Sequence, residues 1–349
     1  MKAKQMVGMG LVALAGLSLV ACGNRASRKN ANAKTDLKAA VVTDTGGVDD
    51  RSFNQGAWEG LEAWGKEFGL SKDQGYTYFQ SNNEADFANN FNAAADAGYN
   101  LVFGPGFALK NAVEEAAKSH PDINYVMIDE VIEADNVANV TFADHEAAYL
   151  AGVAAAKASK SHHIGFIGGM EGVVITRFEK GFEAGAKSVD PSIKIDVQYA
   201  GSFNDAQKGK AIAAAQYGAG ADVIFHASGA TGNGLISEAK DINAKRGQDD
   251  KVWVIGVDKD QSGEGAYKDK DGKDSNIFLA STLKEVGATV KDIATKTVKD
   301  KFPGKTTTRY GLKEKGVGLA ETNLNDEAKK AVEEARQAIV DGKITVPEK

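Results

Sequence analysis

The chain has one cysteine, Cys22, in 349 residues. A lone cysteine leaves the folded part without a disulfide and without thiol chemistry. Catalytic signatures are absent as well. There is no His-Glu-x-x-His, no Cys-x-x-Cys, no Gly-x-Ser-x-Gly and no Walker A run, so the common metalloprotease, redox, serine-hydrolase and P-loop chemistries have no motif here. No basic face or cationic run stands beyond the first forty residues, which removes nucleic acid as an expected partner. Histidines number five. His162-His163 reads as a solvated turn after a helix, His145 as the first turn of a helix, and His226 as the end of a strand facing a cleft. No enzyme activity, metal or cofactor is expected.

The amino terminus is informative. Lys2 and Lys4 precede an apolar run from Met6 to Ala21, too short to span a bilayer comfortably and laid out as a signal peptide. Leu19-Val20-Ala21-Cys22-Gly23 closes it. That segment resembles a bacterial lipobox, which implies cleavage before Cys22 and a diacyl chain on its sulfur. Loss of Lys2 and Lys4 takes the formal charge from −6 to −8. Residues 24–37 are small and polar and read as a flexible tether, whose four cations would add on the order of 1 kcal/mol each near an anionic surface.

From Leu37 onward, short β-rich runs alternate with amphipathic segments. Strands are expected at 37–43, 77–80, 101–103, 124–128, 139–142, 164–167, 194–199, 223–226, 252–257 and 277–282. Ser52 suits the N-cap of a helix running to Phe68, with Gly69 just past its end, and Asn325 caps a last helix ending near Gly342. This alternation predicts an α/β fold of doubly wound parallel sheets, with ligand sites off the carboxyl ends of the strands. More than 300 mature residues favour two domains. An internal echo supports that division. Thr43-Asp44-Thr45-Gly46-Gly47 leads into Ser52-Phe53-Asn54-Gln55-Gly56-Ala57-Trp58-Glu59-Gly60, and Ile167-Gly168-Gly169 leads into Thr176-Arg177-Phe178-Glu179-Lys180-Gly181-Phe182-Glu183-Ala184-Gly185. The helix glycines suggest close packing of each helix on its sheet. A break between lobes is expected around Ala143-Asp144.

Three aspartates fall where strands should end: Asp44, Asp129 and Asp258. Together they point to one polar site. Ionised carboxylates only accept hydrogen bonds, so the site suits a ligand offering hydroxyl and N–H donors, such as a sugar or a nucleoside, and repels phosphate. A divalent cation is the competing reading, without Ca²⁺-loop spacing to support it. Phe53 and Phe178 hold equivalent places in the echo and could face each other across a cleft, stacking on a flat base at roughly 1–3 kcal/mol; packing in their own cores is the alternative. Phe107 is a third candidate. The glycine loops at 104–106 and 229–234 would bring backbone N–H groups close to a ligand, Gly229 among them.

The segments 42–54, 103–107, 174–182, 229–232 and 253–261 resemble the basic membrane protein family of lipoproteins, and within it the purine nucleoside receptor group of Gram-positive bacteria. The resemblance covers essentially the whole chain. It implies a type I periplasmic-binding-protein fold with three crossovers, a monomer held at the outer face of the cell membrane by its lipid, and delivery of nucleosides to an ABC permease. Lobe 1 would then take residues 38–143 and 259–320, and lobe 2 residues 144–258 and 321–349. The family's ligand residues carry over to Asp44, Phe53, Asp129, Asp258 and Lys284, with Ser52, Asn54, Phe107, Phe178 and Gly229 beside them. The stacking partner of Phe53 stays open between Phe178 and the 226–229 region. A receptor for a sugar or another small metabolite, and a nucleoside hydrolase, are the alternatives.

Overall fold

The computed structural model describes residues 34–349. The expected signal peptide, the expected lipidation site Cys22 and residues 23–33 of the expected tether lie outside the described residues. The tether's expected last residues are docked. Lys34 donates from its backbone N to Phe68 O and from Nζ to Glu67 O, both at 3.0 Å, so the chain joins the fold before Leu37.

Three stretches of the chain build two similar units. The first holds β1 (Ala39–Val42), α1 (Phe53–Glu67), β2 (Tyr76–Phe79), α2 (Asp86–Asp96), β3 (Leu101–Pro105), α3 (Lys110–Ser119), β4 (Asn124–Ile128) and β5 (Val137–Phe142). The second holds α4 (Asp144–Ala158), β6 (His163–Gly168), α5 (Val173–Val189), β7 (Lys194–Tyr199), α6 (Ala206–Gly218), β8 (Val223–Ala227), α7 (Gly232–Asn243) and β9 (Trp253–Gly256). The third holds the hairpin β10 (Ala266–Lys268) and β11 (Asp274–Asn276), then β12 (Phe278–Lys284), α8 (Val286–Lys299), β13 (Thr307–Tyr310), β14 (Val317–Glu321) and α9 (Asp326–Val340).

The two large sheets run β2-β1-β3-β4-β5-β13 and β7-β6-β8-β9-β12-β14. Every neighbour in them pairs parallel except β12 with β14. Strands buried on both faces explain the unbroken apolar runs. In β1 the pleat sends Ala39 and Val41 to one core and Ala40 and Val42 to another. The second of these cores is closed by Phe87 and Phe91 of α2 and Val113 of α3; its counterpart in the other lobe is closed by Ile212 of α6 and Leu235 of α7.

The two strand orders superimpose term by term, with β1 matching β6 and β5 matching β12. The internal echo is therefore one β-loop-α unit used twice. Its glycines work differently from the expectation. A Cβ on Gly60 would stand 2.1 Å from Gly287 O of α8, and one on Gly185 would stand 2.0 Å from Tyr149 O of α4. These glycines admit a neighbouring helix rather than the helix's own sheet. After its fifth strand each lobe passes the chain across: α4 follows β5 and packs on α5, while α8 follows β12 and packs on α1.

That exchange corrects the late domain boundaries. Residues 259–284 stay in the second lobe, because β12 pairs with β9 from Phe278↔Val254 onward. The chain crosses at Ala143, again at Glu285 before α8, and a third time over 311–316 between β13 and β14. A break after Asp258 and another at 320 would split the second sheet. Lobe 1 is thus 38–143 with 286–310, and lobe 2 is 144–284 with 317–349.

Helix termini explain smaller differences. The α1 boundary falls at Ser52, but Asp50 does the capping. Its carboxylate accepts from Ser52 N at 2.8 Å, Asn54 N at 2.8 Å and Gln55 N at 3.1 Å. Asn325 caps α9 as expected, accepting from Ala328 N at 2.8 Å. His162 is exposed beside Asp190, yet His163 opens β6 buried, with Nε2 2.7 Å from Asp196 Oδ2.

Candidate functional site

Between the lobes, off the carboxyl ends of both sheets, lies a partly closed cavity lined by residues of both. Asp44, Phe53, Asn54, Phe107, Asp129, Phe178, Gly229, Asp258 and Lys284 all line it. Ser52 is buried at its edge, its hydroxyl spent on Asp258. His226 does not line the cavity. It sits fully buried behind the wall, Nδ1 3.2 Å from the Oγ of Ser228 and Nε2 3.1 Å from Gln261 Oε1. Ser228 presents its face to the cavity instead.

Two of the aspartates share a backbone device. Asp129 follows β4 and Asp258 follows β9, equivalent points of the two sheets, and both are left-handed, with φ of 75° and 66°. Aspartate tolerates that conformation better than most side chains, and such strain is typically kept at functional sites. The turn aims each carboxylate into the cleft from its own lobe. Asp44 is held by a loop: its Oδ1 accepts from Asn54 Nδ2 at 2.7 Å and Gly46 N at 2.8 Å. Asn54 in turn is fixed by Asp50 at 3.0 Å.

Lys284, the last residue of β12, is the cation of the site. Its Nζ lies 2.6 Å from Asp129 Oδ2 and 3.1 Å from Asp144 Oδ1. It also stands 4.9 Å from the Phe53 ring centroid and 5.9 Å from that of Phe178, within cation–π range. Burial works against the ammonium, but Asp129, Asp144 and Asp258 outweigh it and raise its pKa above the ordinary lysine value. The acids respond to the same environment. Burial pushes Asp258 up to about 7 against the pull of Lys284 and Ser52. It pushes Asp44 up to about 6 against the bonds from Gly46 and Asn54, and Asp144 up to about 6 against Lys284. One ammonium thus faces three aspartates, Asp129, Asp144 and Asp258. Asp129 Oδ1 is buried without a partner, an acceptor that a ligand donor would satisfy. The arrangement takes donors and disfavours a phosphate.

The aromatic contribution is broader than expected. Phe178 is 4 % exposed and packs edge-on against Phe225, 6.1 Å between centroids at 61°, so it is chiefly a core residue whose edge reaches the cavity. Phe53 and Phe107 are half-buried. Phe203 of lobe 2 meets Phe107 of lobe 1 at 6.2 Å and 73°. No sequence signal singled out Phe203. Asp144 was visible only as a boundary residue, and Asp50 only as part of a loop.

The lobes are shut. Arg51 pairs with Glu264 at 2.5 Å, Lys259 with Glu59 at 2.8 Å, and Gln261 Nε2 donates to Arg51 O at 3.0 Å. The first two are exposed pairs worth about 0–1 kcal/mol each. Ser52–Asp258 and Lys284–Asp129 join the lobes inside the cleft.

Residues 37–349 match the Bmp family, described as PnrA-like ABC transporter substrate-binding proteins. The chain is 57% identical over 349 residues to a Lactococcus lactis protein named ABC transporter nucleoside-binding protein BmpA, covering 99% of each. It is 46% identical to the CD4+ T-cell-stimulating antigen of Listeria innocua, over 98% of each chain. Basic membrane protein A of Borreliella burgdorferi is 32% identical over 89% of this chain and 87% of its own. A solved ABC transporter solute-binding protein from Aeropyrum pernix K1 has a TM-score of 0.77 at 24% identity, covering 90% of this chain and 94% of its own. That likeness bears on the fold alone. The chain belongs to the Bmp family of ABC transporter substrate-binding proteins.

Proposed function

We propose that this chain binds a nucleoside between its lobes and passes it to an ABC permease, without turning it over. The observation that carries this reading is the composition of the cleft: acceptor carboxylates from both lobes, one ammonium and half-buried aromatic rings around one cavity between the lobes. Asp258 and Lys284 take the ribose hydroxyls as acceptor and donor. Asp44 and Asp129 accept from the base or the ribose, and Phe53 stacks on the base. Phe107 and Phe203 cover it from either lobe, and Gly229 lets the backbone approach. The Lactococcus lactis relative, whose name specifies nucleoside binding, supports the ligand class.

Closure around the ligand buries it and marks the loaded form for the permease. Retention at the membrane falls to the Cys22 diacyl chain, with the protein acting as a monomer on its outer face. No helix among the described residues is long and apolar enough to cross a membrane. A thermal-shift panel tests the reading. Guanosine or adenosine should raise the melting temperature, and nucleoside monophosphates, free sugars and Ca²⁺ should not. A shift with sugars alone replaces the nucleoside by a sugar. Release of free base from inosine makes the protein an enzyme.

A further inference from the structure

Behind the cleft's ammonium runs a line of alternating charges. Lys284 Nζ is 3.1 Å from Asp144 Oδ1, and Arg177 Nη1 of α5 is 3.8 Å from Asp144 Oδ2. The other edge of that guanidinium, Nε, is 3.2 Å from Glu348 Oε2. Glu348 Oε1 accepts from Arg309 Nη2 at 2.8 Å. The line begins in the cavity and runs out to Glu348 and Arg309 at the surface. Val346, 6 % exposed, tucks the tail into the core and sets Glu348 in place.

Neither inner member has another anchor in view. Both oxygens of Asp144, and Nε and Nη1 of Arg177, lack an aligned hydrogen bond. Asp144 is fully buried and the Arg177 side chain is 16% exposed. Their positions therefore rest on charge balance with their neighbours, and a buried charge deprived of its counter-charge is costly. If Glu348 is neutralised, Arg177 is left with Asp144 as its closest carboxylate and draws it away from Lys284. We infer that Glu348 is a positioning residue for Lys284, acting through Arg177 and Asp144, so that the carboxyl-terminal tail sets the affinity of the cleft from outside it. This rests on the nucleoside reading above.

The test uses Glu348→Gln, Glu348→Asp, Arg177→Met and the double variant Arg177→Met/Glu348→Gln. Calorimetry with guanosine and adenosine gives affinity, and lysine-selective ¹⁵N NMR of the ligand-free protein reports the Lys284 ammonium. Glu348→Gln should weaken binding threefold to tenfold and shift the Lys284 signal, leaving that of exposed Lys66 in place. Glu348→Asp should recover most of the affinity. Once Arg177 is removed, Glu348→Gln should cost nothing further. An unmoved Lys284 signal overturns the inference, as does an unchanged affinity or an equal loss with and without Arg177. If Arg177→Met fails to fold, the Gln and Asp variants and the NMR signal still decide. If the wild-type protein binds no nucleoside, the functional reading falls, and the Lys284 signal alone decides whether Glu348 positions it.

Discussion

Replacing Lys284 by methionine should destabilise the ligand-free protein, and much more at pH 8 than at pH 5. The ammonium is the one cation among the described residues within 3.1 Å of Asp129 and Asp144, and it also pulls on Asp258. Removing one partner of a buried pair costs about 3–5 kcal/mol, because the other charge stays behind. Unfolding entropy of about 2.1 cal/mol/K per residue over roughly 310 residues converts that to a loss of about 5–8 °C in melting temperature. The pH dependence follows from the acids. Asp258 is raised to about 7 and Asp144 to about 6. For a raised carboxyl, the stabilisation is complete below its ordinary value of 3.8 and is lost as pH climbs through the folded-state value. Without Lys284 holding them down, both values rise further, so the loss by pH 8 deepens. At pH 5 both groups already carry protons, so their share of the penalty is gone and the loss should be smaller. Lys284 itself, raised above 10.5, does not titrate in this interval. Differential scanning calorimetry at the two pH values measures the contrast. An equal loss at both, or a larger one at pH 5, would refute the charge account of the site.

Other expectations follow from the same geometry. Asp258→Ala should weaken nucleoside binding tenfold or more, the loss of a charged hydrogen bond worth about 1.5–3 kcal/mol; unchanged affinity by calorimetry would remove Asp258 from the site. Gly60→Ala should destabilise by roughly 1–3 kcal/mol, since its Cβ would meet Gly287 O at 2.1 Å. Gly56→Ala, one turn earlier with nothing within 4 Å of its Cβ, should be neutral or gain up to about 1 kcal/mol; chemical denaturation of the two variants compares them. Cys22→Ala should leave nucleoside affinity intact while releasing the protein from membranes, as fractionation followed by immunoblotting would record.

The sheets were legible because parallel strands carry apolar runs that only burial on both faces explains. The three site aspartates were legible because each directly follows such a run. What escaped the sequence was non-local. Nothing in the 277–282 segment tells which sheet it will join; that is decided by pairing with β9, and it moved the second crossover from 259 to 285. β13 and β14 were missed for the same reason: Thr-Thr-Arg-Tyr and Val-Gly-Leu-Ala-Glu become strands only as the last strands of their sheets. Ser52 suits a cap by residue type, but its hydroxyl turns to Asp258 across the cleft and Asp50 caps the helix. Phe178 matched Phe53 in the echo, yet its ring is largely absorbed by Phe225. Asp144 looks like any helix-opening acid until Lys284 arrives from 140 residues away.

The central claim is that the cleft holds a nucleoside. The most direct measurement is mass spectrometry of the small molecule released on denaturing protein purified without added ligand. The account predicts an intact, unphosphorylated nucleoside in near-stoichiometric amount. A free sugar, a nucleotide or a free base recovered in its place would contradict it.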